Sequence, residues 1–67
     1  MTAYISDLSW ESADGLSSAE ISVYYTENGP PEIDLGYEFS AGMLAPDARA
    51  LAAKLIEAAD KAEAHTP

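Results

Sequence analysis

The chain of 67 residues contains no cysteine and a single histidine, His65. Without cysteine it can form neither a disulfide nor a thiolate metal site, so packing alone must stabilise its fold. Nucleophilic catalysis needs a nucleophile with a base in reach, and His65 lies in a C-terminal tail that we expect to fray over residues 64–67. We therefore expect one domain over residues 1–67, with no enzymatic activity, no cofactor and no metal site.

Positive charge is also scarce, because three basic residues stand against twelve carboxylates and give a net charge of −9. Nucleic-acid binding needs a basic patch, and an anionic membrane surface repels an acidic protein, so neither is an expected partner. The acidity either keeps a small domain soluble or attracts a basic protein. No stretch approaches the length of a membrane span and no secretory pattern opens the chain, so we expect a cytoplasmic protein.

Alternation of apolar and polar residues predicts three strands, at about residues 3–11, 16–26 and 32–39. The phase of the first strand is ambiguous, and a bulge near Ser6–Asp7 would bring Ile5, Leu8 and Trp10 to one side. A turn with Gly15 at positive φ is expected between the first two strands, and a turn at Asn28–Gly29 between the second and third. The pairing order of the strands stays open.

The third predicted strand has the clearest alternation in the chain. Its apolar side chains, which we expect in the core, are Ile33, Leu35, Tyr37 and Phe39. A slip of one residue would bury the carboxylates of the other face, so the register is firmly set. Tyr25 of the second strand is also expected in the core.

An amphipathic helix is predicted from about Pro46 to about Glu63, since proline suits the first helical position and Asp47 suits the positive end of the helix dipole. Its apolar stripe is rich in alanine, with Ile56 at the edge, and comprises Ala48, Leu51, Ala52, Leu55, Ala59 and Ala62. The resulting fold class is α+β, a three-stranded antiparallel sheet followed by one C-terminal amphipathic helix packed on one face (β-β-β-α).

The helix also carries the pattern Leu44-x-Pro46-Asp47-Ala48-Arg49-x-Leu51-Ala52-x-x-Leu55-x-x-Ala58-Ala59-Asp60-x-Ala62. This pattern resembles the C-terminal helix of many small proteins of actinobacteria and their phages, which place a few short strands before such a helix. The resemblance covers about a third of the chain and implies an origin. It carries over no catalytic or binding residue.

The remaining candidate chemistry is weak. Glu32 and Asp34 share a face at a spacing of roughly 7 Å along a strand, which is too far for one shared proton. No Asp-rich calcium loop or glycine-rich phosphate loop is present. The acidic face is therefore more simply a solvated surface.

Two hypotheses of function follow. The first is a non-enzymatic protein-interaction domain, expected to form a homodimer, since exposed sheet edges invite pairing and Trp and Tyr favour interfaces. The second is an acidic inhibitor or nucleic-acid mimic that blocks a basic, nucleic-acid-binding protein of the host. The residues predicted to contact a partner are Trp10, Tyr24, Glu20, Glu32, Asp34 and Glu38.

Overall fold

The computed structural model describes residues 2–27, 29–40 and 42–65. The elements are β1 (Thr2–Glu11), β2 (Ser18–Thr26), β3 (Glu32–Glu38) and α1 (Ala45–Ala64). The strands form one antiparallel sheet in the order β1-β2-β3, so β2 is central and β1 and β3 are the edges. With α1 packed on one side, this is the predicted β-β-β-α fold.

Two sequence predictions fall partly beyond these residues. The turn expected at Asn28–Gly29 includes Asn28, which lies outside the described residues, and so do residues 66 and 67 of the expected tail. Of the remainder of that tail, Ala64 is the last residue of α1 and His65 is its C-cap.

The register of β1 changes at Ile5. Tyr4 pairs with Tyr24, but the next pair is Ser6 with Val23, which leaves Ile5 as an extra residue in β1. A bulge was expected at Ser6–Asp7 and lies slightly earlier. It has the expected consequence, because Ile5 and Leu8 both pack against the buried core.

The turn between β1 and β2 is held by one carboxylate. Asp14 Oδ1 accepts a hydrogen bond from Ser12 Oγ at 2.6 Å and from the Leu16 N–H at 3.0 Å. These two bonds, in that order, hold the pKa of Asp14 below its usual value. Gly15 donates its N–H to the Ser12 carbonyl at 3.0 Å and has a φ of 75°, the positive φ expected there.

The same turn anchors the start of α1. The Ala13 N–H donates to Asp47 Oδ1 at 3.1 Å, from the turn to the first turn of α1. The Ser40 N–H, in the segment that leads to α1, donates to the buried Ser17 Oγ at 3.0 Å. Leu44 at the N-cap gives no side-chain cap, so α1 is positioned by these contacts with the turn.

The centre of the core is small. Ile21 and Val23 of β2 are fully buried, and Ala58 and Ala62 of α1 pack against them. Since these two alanines are the most buried helical residues, the helix backbone can approach β2 closely. Leu51 and Leu55 are half-buried beside them.

The packing of α1 corrects the predicted apolar stripe. Ala48 and Ala52 were expected to face the sheet but are exposed, while Ala58, outside the predicted stripe, is fully buried. The helix is therefore rotated about its axis relative to the prediction. The rotation places Ala58 and Ala62 against Ile21 and Val23, and small side chains at this point allow close packing of helix and sheet.

The position of α1 also corrects the predicted core. The helix lies mainly over β1 and β2 and makes few contacts with β3. A helix is about 10 Å across with its side chains and strands are about 4.8 Å apart, so one helix covers two strands. Four residues at β3 that were expected in the core, Ile33, Leu35, Tyr37 and Phe39, are consequently exposed. Tyr25, also expected in the core, lies near the end of β2 and is 42% exposed.

We predict that Gly15→Ala destabilises the protein by about 1–2 kcal/mol, because an L-residue with a side chain is disfavoured at positive φ. The matched control is Gly36→Ala, which lies in β3 with open space around the added Cβ. That change should stabilise the fold by at most about 1 kcal/mol. Urea unfolding at one protein concentration compares the two, and equal stabilities would contradict the role assigned to Gly15.

Candidate interaction surfaces

The side of the sheet that faces away from α1 is an acidic surface, which we call the outer face. Register and alternation place six carboxylates there, all of them exposed. They are Asp7 and Glu11 of β1, Glu20 of β2, and Glu32, Asp34 and Glu38 of β3. The three basic residues of the chain, Arg49, Lys54 and Lys61, all lie on α1, so the two charges are segregated between the two layers.

The carboxylates of the outer face alternate with uncharged residues in every row across the sheet. Asp7 and Asp34 flank Ser22, and Glu11 and Glu38 flank Ser18. In the row between them, Glu20 has Ser9 and Gly36 as its neighbours. Like charges directly opposite each other destabilise a sheet, so this arrangement lets one face carry six carboxylates with no such pair.

One end of the outer face is aromatic. The rings of Tyr4 and Tyr24 lie 6.5 Å apart, and the Tyr24 hydroxyl donates a hydrogen bond to Glu32 Oε2 at 3.0 Å. The hydrogen bond first, and then the charge of Glu32, raise the pKa of Tyr24 above 10.0.

Five of the six residues predicted to contact a partner lie together on the outer face. These are Tyr24, Glu20, Glu32, Asp34 and Glu38. Trp10 does not join them, and its burial corrects its prediction as a residue that contacts a partner. The bulge at Ile5 puts Trp10 on the α1 side, where it is only 6% exposed and meets Phe39 edge-to-face at 6.2 Å. Its Nε1 is buried without a hydrogen-bond partner in the described part of the chain.

A second surface lies on the α1 side of β3, and the sequence did not predict it. We call Ile33, Leu35, Tyr37 and Phe39 the apolar strip. Tyr37 is the most exposed of them at 64%, and its ring lies 4.8 Å from that of Phe39. A signal was present in the sequence, since a helix stripe made mostly of alanine has little area with which to cover such large side chains.

The apolar strip has a counterpart on α1. Ala48 and Ala52 are exposed and Ala59 is half-buried. We call these three residues the alanine flank. Ile56, on the solvent side of this flank, is 62% exposed. Strip and flank are thus two sets of apolar side chains that stay partly or wholly accessible to solvent.

The described residues were also compared with the requirements of a metal site and of a membrane span. Among residues 2–27, 29–40 and 42–65, no three His, Asp or Glu side chains are grouped as metal ligands. His65 is exposed at the end of α1. No helix in the described ranges has the length and apolar character needed to cross a bilayer.

Comparison with known proteins adds no further assignment. No protein-family model, no curated protein and no solved structure matches the chain significantly.

We predict that Glu32→Gln lowers the pKa of Tyr24 toward 10, because it removes both the charged acceptor and its field. NMR titration of the Tyr24 ring measures the shift. In the wild type, the interaction with Glu32 that raises the pKa of Tyr24 stabilises the fold below pH 10. This contribution to stability is lost as the pH rises through the pKa that Tyr24 has in the folded state. Asp34→Asn is the control, since Asp34 acts on Tyr24 only through space. Equal shifts in both variants would contradict the hydrogen bond.

Proposed function

We propose that this protein is a small, non-enzymatic protein-interaction domain that forms a homodimer through the apolar strip. The observation that carries the proposal is the exposure of Ile33, Leu35, Tyr37 and Phe39 on the same side of the sheet as the core. Ile33, Leu35 and Phe39 are 37% to 43% exposed, and Tyr37 is 64% exposed. Because full burial of such a side chain from full exposure is worth about 1.5–3 kcal/mol, an interface that covers what is still exposed gains roughly half of that for each residue.

The overall surface supports the same proposal. The accessible surface of the chain is 4757 Å², whereas a compact protein of 7.1 kDa exposes about 4,100 Å². The radius of gyration is 13.2 Å, against about 11 Å for a compact domain of this length. The molecule is elongated, with extents of 39 × 18 × 14 Å, and a second copy packed along its length would cover part of this excess surface, against the roughly 800 Å² that each partner buries in a standard interface.

We predict that the wild type sediments as a dimer at micromolar concentration and that Tyr37→Glu is monomeric with an unchanged far-UV circular dichroism spectrum. The mutation places a charge in the middle of the strip, and Tyr37 is too exposed to support the monomer core. Asp34→Asn on the other side of β3 is the control and should remain dimeric. A wild type that is monomeric throughout would contradict the proposed homodimer.

A second candidate function, an acidic inhibitor or nucleic-acid mimic, is supported by the outer face. Six exposed carboxylates on one sheet face, with every cation in the other layer, produce a field that attracts a basic protein surface. Such a protein would occupy a site that otherwise holds phosphates. Tyr24, beside Glu32, adds an aromatic contact to this surface.

For this second function we predict that a protein with a phosphate-binding site, such as a host nuclease, binds the wild type and is released by added salt. Replacing Glu20, Glu32, Asp34 and Glu38 together with Gln or Asn should abolish binding. The charge-matched control replaces Glu27, Glu57, Asp60 and Glu63 in the same way, off the outer face, and should retain most of the affinity. Equal losses in isothermal titration calorimetry would mean that only net charge matters.

The biological setting is part of the same proposal. We infer an accessory protein of actinobacteria or their phages, acting in the cytoplasm. The support for this origin is the helix pattern that begins at Leu44 and ends at Ala62.

A further inference from the structure

The chirality of L-residues determines whether the alanine flank of α1 is turned toward β3 or toward β1. Ser12 donates its N–H to the Ser17 carbonyl at 2.9 Å, so by alternation Leu8 and Trp10 also direct their backbone polar groups toward β2. Both side chains lie on the α1 side. In an upward strand of L-residues, a residue whose side chain faces the viewer has its backbone polar groups on the right. Seen from α1 with β1 running upward, β2 and β3 therefore follow to the right.

In the same view α1 runs downward, since Asp47 in its first turn contacts the upper, β1–β2 turn. With Ala58 and Ala62 against the sheet, the right-handed period of 3.6 residues turns the alanine flank to the right. It turns Lys54 and Lys61 to the left, toward β1. The alanine flank and the apolar strip are therefore the wall and the floor of one continuous groove.

The dimensions of this groove match an α-helix. The axis of α1 lies over β1 and β2, so β3 is about 7 Å to its side if strands are about 4.8 Å apart. Two packed helices have axes 8–10 Å apart, with the shortest distances where small residues meet. A second helix packed on the alanine flank therefore lies over β3 and covers the apolar strip.

We propose that the occupant of this groove is α1 of a second copy, in a reciprocal dimer of the layer order sheet, two helices, sheet. This inference rests on the proposed function and specifies its geometry. Only a two-fold axis that runs nearly parallel to the helices places each α1 over the β3 of the other copy. The two helices are then parallel, and each alanine flank meets itself. Ile56, exposed on the solvent side of the flank, approaches the sheet of the other copy.

Charge favours this geometry over pairing of the two β3 edges. Edge pairing would bring Glu32, Asp34 and Glu38 of both copies to one seam on the outer face, where like charges repel. In the reciprocal dimer the two outer faces are on opposite surfaces. A helix layer at least about 10 Å thick separates the two sheets, which exceeds the Debye length of about 8 Å at physiological salt.

Cysteine cross-linking tests the proposal, because the chain has no cysteine of its own. Ala52→Cys should form a disulfide-linked dimer under mild oxidation at least about tenfold faster than Ala50→Cys, since a disulfide requires Cα atoms about 4.4–6.8 Å apart. Ala50 is the matched control, because it is an exposed alanine on the opposite side of the same helical turn. Adding Tyr37→Glu to Ala52→Cys should reduce its rate to that of Ala50→Cys.

The outcomes separate this inference from the proposed function. If the wild type is a dimer but Ala52→Cys and Ala50→Cys cross-link at equal rates, the helix-in-groove geometry is overturned and the homodimer stands. If the wild type is monomeric and neither variant cross-links, both proposals fail. Fast cross-linking of Ala52→Cys that Tyr37→Glu does not slow would also overturn the geometry, since contact between helices would then not depend on the strip.

Discussion

The width of one helix against three strands is the constraint on which the rest of the structure depends. A helix of about 10 Å diameter covers two strands at a spacing of about 4.8 Å, and α1 covers β1 and β2. The middle of the central strand β2 is therefore buried on the α1 side, with Ile21 and Val23 inaccessible to solvent. The third strand, β3, gains ladder hydrogen bonds from β2, but its apolar side chains Ile33, Leu35 and Tyr37 stay 37% to 64% exposed.

The contacts at the β1–β2 turn determine which two strands are covered. Asp47 accepts from the Ala13 N–H, and Ser17 binds the segment that leads from β3 to α1. These contacts hold the start of α1 above the turn that joins β1 to β2, rather than above β3 from which the chain arrives. The exposed apolar strip is thus a consequence of where a few polar groups near the helix start are bonded.

Local features of this fold were predictable from the sequence, and the relative placement of its layers was not. The alternation in β3 and the positive φ at Gly15 depend on neighbours in the chain, and both were predicted correctly.

The rotation of α1 about its axis was not predicted. An alanine-rich stripe gives almost equal apolar area over a wide arc, so the sequence does not show whether Ala58 or Ala52 approaches the sheet most closely. The phase of β1 was left open, because alternation alone does not show whether a bulge is present. Trp10 was nevertheless predicted to contact a partner, whereas the bulge at Ile5 puts it on the buried α1 side. Five residues of the outer face were identified because strand alternation alone assigns them, whereas the apolar strip was missed because its exposure depends on the position of α1.

The two surfaces lie on opposite sides of one sheet, so the proposed functions need not compete. Covering the apolar strip leaves the six carboxylates of the outer face accessible, because alternate residues of β3 point to opposite sides. In a reciprocal dimer the two outer faces are turned away from each other. One dimer would then present two equivalent acidic surfaces to two basic partners, or to two sites on one partner. A second site on one partner would be engaged at a high effective concentration. Self-association would then strengthen binding by the acidic face without adding any contact to it.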